Sequence, residues 1–269
     1  MKTLIAFPFL LLVFQLKAQK NINGLVSAEK SFAAYSVTHG TKNAFLKFID
    51  SNGIVFDQGK AANGIEVWNK RQDGPFVLNW APNYVEIANS NDFGYTTGPW
   101  TLHPKDSDSI TARGQFTTVW HIDGNGEWKF LVDLGVGNAP QLTQSGLNEI
   151  KIKKISGTAS TEELLKAEQN FIVSYKADKE NAYKLYLSKQ SILNRHGLQQ
   201  ATEKKSQTEM IKATPQDIEY TVAGSAIAPS GDLAYVYGNS INNKKSENYL
   251  RIWRKEKEGW KIAVEVLRY

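Results

Sequence analysis

Ala28-Glu29-Lys30-Ser31-Phe32 returns as Ala167-Glu168-Gln169-Asn170-Phe171, and Ser90-Asn91-Asp92-Phe93-Gly94-Tyr95 returns as Ser230-Gly231-Asp232-Leu233-Ala234-Tyr235. Trp120 and Trp128 return, in the same order, as Trp253 and Trp260. Two copies of about one hundred residues each are domain-sized and far too long for solenoid repeats. The chain of 269 residues therefore reads as a tandem of two domains, over residues 20–137 and 160–269, joined by a linker over 138–159. With 41% hydrophobic residues, the chain can build two cores without help.

The patterning within each copy is helices first and strands afterwards. Ser27 precedes an apolar series Phe32, Tyr35 and Val37, and Thr41 can cap a second helix carrying Ala44, Phe45, Phe48 and Ile49. Ser160-Thr161-Glu162-Glu163 fits a capping box, and Leu164, Leu165, Glu168, Phe171, Ile172 and Tyr175 follow at helical spacing. Strands are expected over 53–56, 83–89, 94–102, 113–122 and 127–134, with a hairpin turn at Asp123-Gly124-Asn125-Gly126. Helices followed by antiparallel strands make an α+β domain with helices covering one face of a curved sheet.

Several function classes are excluded by composition. Lys2, the apolar run Leu4 to Leu16 and Lys17-Ala18-Gln19 read as a signal peptide over residues 1–19. The run covers only about two thirds of a bilayer's hydrocarbon core, so export to the periplasm or outside is expected, with no stable membrane anchor after cleavage. The chain has no Cys, which removes thiol catalysis, thiolate metal sites and disulfides. The His residues, at 39, 103, 121 and 196, have no ligand-like spacing, so neither a metal nor a cofactor is expected. The first copy is net acidic and the second net basic, which favours pairing of the two domains within the chain. The Lys residues of the basic copy are dispersed among acids, and no nucleic-acid partner is expected.

Trp80-Ala81-Pro82, Asp92-Phe93-Gly94-Tyr95-Thr96-Thr97-Gly98-Pro99-Trp100 and Gly114-Gln115-Phe116-Thr117-Thr118-Val119-Trp120 resemble, in that order, the DUF4440 family. Gly126-Glu127-Trp128-Lys129 and Asp133-Leu134-Gly135 complete the resemblance, which covers most of residues 25–137 and, more loosely, 160–269. It implies the SnoaL-like, nuclear-transport-factor-2-like (NTF2-like) superfamily, with a cystatin-like α+β cone around a deep pocket. Relatives with that fold include ketosteroid isomerase, a polyketide cyclase and scytalone dehydratase, besides non-catalytic binding and assembly modules, so the fold assigns no activity.

A reaction of the isomerase kind needs a carboxylate beside an apolar pocket and a donor for the developing oxyanion. Asp133, Asp57 and His121 are the candidate catalytic groups, with Tyr84 or Tyr95 as further donors. Trp80, Tyr84, Tyr95, Trp100, Trp120 and Trp128 are the candidate pocket lining for a small apolar ligand. Strand parity opposes the pair His121 and Asp133. If Trp120 faces Trp128, then Phe116, Trp120, Trp128, Phe130 and Val132 share the core face, while Gln115, Thr117, His121, Lys129 and Asp133 all point to the convex side. Val119, Leu131, Leu250, Ile252 and Ala263 also fall on convex faces, as sheet-to-sheet contact would require. Three functions remain open: a binding module for a small apolar molecule, a cofactor-independent isomerase, cyclase or dehydratase, and a scaffold whose cones are filled by their own side chains.

Overall fold

The computed structural model describes residues 18–137, 146–158 and 160–269. The expected signal, apart from Ala18 and Gln19, and the linker segment with Pro140 lie outside the described residues. The first half runs α1 (Ile22–His39), α2 (Thr41–Phe48), β1 (Ile49–Asp57), β2 (Lys60–Asn63), α3 (Gly64–Lys70), β3 (Phe76–Trp80), β4 (Tyr84–Ile87), β5 (Phe93–Pro104), β6 (Ala112–Ile122), β7 (Trp128–Gly137) and β8 (Asn148–Glu149). The second runs α4 (Thr161–Ala177), α5 (Lys179–Tyr186), β9 (Leu187–Arg195), α6 (Lys204–Ala213), β10 (Glu219–Ile227), β11 (Leu233–Asn242), β12 (Lys245–Glu256) and β13 (Gly259–Leu267).

The fold is α+β, with helices packed on two curved sheets. The strand orders are β2-β1-β7-β6-β5-β4-β8, with β3 also on β5, and β10-β11-β12-β13-β9. Pairing is antiparallel except where β1 meets β7, β9 meets β13 and β8 meets β4.

Local chemistry explains the helix ends. Ser160 caps α4 by accepting from the Glu163 amide at 3.1 Å, as the capping box requires. In the first half, helix α1 starts earlier than Ser27, because the Asn21 side chain accepts from the Gly24 amide at 2.9 Å. Gly98 and Gly238 sit where a neighbouring strand is interrupted. A Cβ at either would lie 2.2 Å from the Ala81 carbonyl oxygen or 1.9 Å from that of Thr221. Pro82 breaks the partner strand in one half, and a bulge between Val222 and Gly224 bends it in the other.

Three core clusters result. One fills the space between the helices and sheet of the first half, around Phe32, Trp120 and Phe130. A second does the same in the second half, around Phe171, Tyr183 and Trp253. The third lies between the two sheets, where Phe93, Tyr95, Val119, Val132 and Leu134 meet Tyr235, Leu250, Ile252, Val264 and Val266. Within this contact, Arg254 of β12 donates from Nε and Nη2 to Glu86 of β4 at 2.7 and 2.5 Å, both residues fully buried. Burial alone would raise the Glu86 carboxyl, but Arg254 and Lys154 hold it below the usual carboxylate range.

A buried bidentate pair is worth most when one member is lost. Arg254→Ala should cost about 3–5 kcal/mol in chemical denaturation, whereas the double replacement Arg254→Met with Glu86→Leu should cost less than either single change. A double variant no more stable than the singles would show that the pair does not hold the sheets together.

Candidate functional site

A buried acid on the first helix anchors each half. Glu29 falls on the apolar face of α1 with Leu25, Phe32 and Ala33, and is fully buried. It accepts hydrogen bonds from Trp80 Nε1 at 2.5 Å, Thr96 Oγ1 at 2.5 Å and Trp120 Nε1 at 2.8 Å. Burial outweighs these three donors and, with the nearby Asp133 charge, pushes the Glu29 carboxyl up to about 7. Glu168 takes the same place on α4 and accepts from Trp253 Nε1 at 2.9 Å.

Asp133 lies on the cone side of β7, which reverses the parity expectation. Trp120 pairs with Phe130, not Trp128, and Val119 then pairs with Val132. The extra residue, Leu131, forms a β-bulge. Trp128 and Phe130 therefore face the helices, while Val132, Leu134 and Val136 face the other sheet and Asp133 turns into the cone. There it accepts from Thr118 Oγ1 at 2.7 Å, and burial pushes it up to about 6, partly offset by Thr118 and Arg268.

The two acids border a cavity of about 310 Å³ in different ways. Asp133 lines it directly, among Phe32, Leu78, Trp80, Trp100, Leu102 and Phe116. Glu29 lies behind the wall, joined to it through Trp80. Gly135, Gly137 and Arg268 form part of the rim, and Arg268 Nε donates to the Gly135 carbonyl at 2.7 Å. The wall is almost wholly apolar, with one carboxylate aimed inward, so it can hold an apolar body and one polar group.

The other candidates are placed elsewhere. His121 points away from the cavity and pairs through Nε2 with Asp50 Oδ2 at 2.8 Å. Asp57 ends β1 in an ion pair with Arg71, whose guanidinium lies 4.6 Å from the Trp68 ring centroid. Of the six aromatic residues considered, Trp80 and Trp100 line the cavity. Trp120 is buried beside it on Glu29, and Trp128 donates to the Gln19 carbonyl at 3.1 Å. Tyr95 and Tyr84 belong to the cluster between the sheets, where Tyr95 donates to Glu86 at 3.0 Å. Glu29 was legible as an acid on an otherwise apolar helix face, repeated at Glu168; nothing local marks Thr118.

The second cone is closed by its own charges. Arg251 bridges Glu168 and Glu265, Arg195 also holds Glu265, and Tyr183 donates to Glu265 at 2.6 Å. These four charged residues are fully buried. Burial alone would raise Glu265, but Arg195 and Arg251 hold it below the usual range. Among the described residues, no cluster of His, Asp and Glu is arranged to hold a metal ion.

No protein-family model and no curated protein matches the chain. Similar solved structures include a protein of unknown function with a cystatin-like fold from Nostoc punctiforme PCC 73102, at 16% identity and a TM-score of 0.33, covering 41% of this chain and 92% of that one. An NTF2-like protein from Novosphingobium aromaticivorans DSM is 12% identical with a TM-score of 0.32, over 40% of this chain and 79% of that one. Nuclear transport factor 2 from Cryptosporidium parvum is 12% identical with a TM-score of 0.36, over 43% and 98%.

The raised acids bind protons more tightly in the folded chain than in the unfolded one. Their favourable contribution is therefore fully present below the unfolded values, 4.5 for Glu29 and 3.8 for Asp133, and is lost as pH rises through about 7 and about 6. The stability of the native chain relative to Glu29→Gln should accordingly fall between pH 4.5 and 7.5, by on the order of 3 kcal/mol. Denaturation curves of both proteins across that range check this; a constant difference would mean that Glu29 titrates normally.

Proposed function

We propose that this chain is an exported tandem protein whose first cone binds a small, largely apolar molecule. The observation that carries the reading is the cavity itself: about 310 Å³, walled by aromatic and aliphatic side chains, with the single inward carboxylate of Asp133. An apolar pocket with few convergent polar groups is the usual form of a small-molecule site. In the second cone Arg251 and Arg195 stand beside the buried acids and pair with them. That half suits a supporting role, and its sheet backs the sheet of the first.

The test uses Trp80 and Trp100 as built-in reporters, since both line the cavity. Titration with a panel of single-ring and two-ring apolar compounds should change their fluorescence. Gly137→Leu, which starts a side chain on the rim where a Cβ meets only ordinary contacts, the nearest Trp100 Cζ2 at 3.6 Å, should abolish the response. An unaltered response in that variant would place binding elsewhere.

One observation favours acid–base catalysis as a second reading. Asp133 combines a carboxyl raised to about 6 with direct access to the cavity, as a general base near neutral pH requires. On this reading a β,γ-unsaturated ketone is isomerised at a rate that rises as pH passes about 6 and drops about a hundredfold or more in Asp133→Asn. No turnover above the buffer rate would remove catalysis and leave binding.

A further inference from the structure

The two cones are built on the same frame, and strand register matches them position by position. Thr96 pairs with Thr118, which pairs with Asp133; in the second half Val236 pairs with Arg251, which pairs with Glu265. Thr118 thus stands where Arg251 stands, and Asp133 where Glu265 stands. Gly98 pairs with Phe116 as Gly238 pairs with Tyr249, and Trp80 pairs with Trp100 as Tyr220 pairs with Ser240. The buried helix acids Glu29 and Glu168 correspond through their shared indole donors.

In the second cone these positions surround a cation. The Arg251 guanidinium lies 4.4 Å from the ring centroids of Phe171, Tyr220 and Tyr249, with Glu168 and Glu265 as its counter-charges. The corresponding residues of the first cone are Phe32, Trp80 and Phe116 around the cavity, with Asp133 as the acid that lines it and Glu29 as the acid behind Trp80. The aromatic box and both acids are retained; no cation takes the place of Arg251, because Thr118 is too short to supply one. Arg268 reaches the rim, where Nε and Nη2 donate to the Gly135 carbonyl and its charge acts on Asp133 without a direct contact. Among the described residues it makes no ion pair with Asp133 or Glu29.

We propose that the first cone binds an organic cation, a guanidinium, amidinium or ammonium group on an apolar body, seated where the Arg251 guanidinium sits in the second cone. The inference rests on the binding reading above and names the chemical class of its ligand. Aromatic faces and a desolvated carboxylate both favour a cation over a neutral group of the same shape. Trp in place of Tyr220 strengthens the box, since indole is the best cation acceptor among the rings. The apolar outer wall, Leu78, Trp100 and Leu102, is the place for the ligand's body.

Calorimetric titration of the full chain with phenylguanidine and with its neutral isostere phenylurea tests this. Phenylguanidine should bind about tenfold or more tightly than phenylurea, and Asp133→Asn should abolish that preference. Thr118→Arg, which places in the first cone the residue the second one carries, should eliminate phenylguanidine binding and raise the thermal midpoint. Equal or tighter binding of phenylurea would overturn the cation proposal while leaving an apolar binding site intact. Failure of both probes to bind, with Thr118→Arg no more stable than the native chain, would overturn both.

Discussion

The central strands of this molecule must serve two cores at once. β7 faces the helices of its own half on one side and the opposing sheet on the other, and so does β13. A strict two-residue alternation would keep one set of side chains on one face from end to end. The bulges at Leu131 and Ala263 break that rule once in each half, at matching registers. Before the bulge, Trp128 and Phe130 close the cone against the helices. Beyond it, Val132, Leu134 and Val136 turn to the sheet interface and Asp133 turns inward. Position and exposure of the candidate site follow from that one inserted residue.

Within this shared frame the halves solve the same electrostatic problem differently. A carboxylate buried on the first helix is costly unless it is paired or protonated. The second half pairs it, using Arg251 to bridge Glu168 and Glu265. The first half provides hydrogen bonds from two indoles and a threonine but no cation, and its acid shifts towards the neutral form. The cavity and the raised acids of the first cone go with Thr118 at the register position where the second cone carries Arg251.

The same asymmetry appears between the sheets. Arg254 and His121 occupy matching places one residue beyond Trp253 and Trp120. Arg254 reaches Ser188 at 2.6 Å and crosses to Glu86, whereas His121 stays within its own half on Asp50, which matches Ser188. One long side chain thus ties the halves with a buried, bidentate pair, and its shorter counterpart closes locally. Loss of either member would leave the other as an uncompensated buried charge.

The sequence alone determined that helices open each half, the α+β class, the Ser160 cap of α4 and the types of residue around the site, but not the start of α1 at Asn21 or the uncapped start of α2 after Gly40. Repeated motifs, capping chemistry and apolar spacing are local signals, and local signals suffice for these. They also marked Asp133 and the aromatic residues Trp80 and Trp100. They did not determine which way Asp133 points, because Trp128, Phe130, Val132, Leu134 and Val136 keep even spacing straight through the bulge. The trace it leaves is Leu131, an apolar residue between Lys129 and Asp133. Nor did they reveal α3 (Gly64–Lys70) or the role of Glu29, whose partners Trp80, Thr96 and Trp120 are far away in the chain. Facing and partnership depend on how strands pair across the sheet and on which half supplies a cation. Only the tertiary structure decides those, since the energy of a buried charge is set by its neighbours in space and not by its neighbours in sequence.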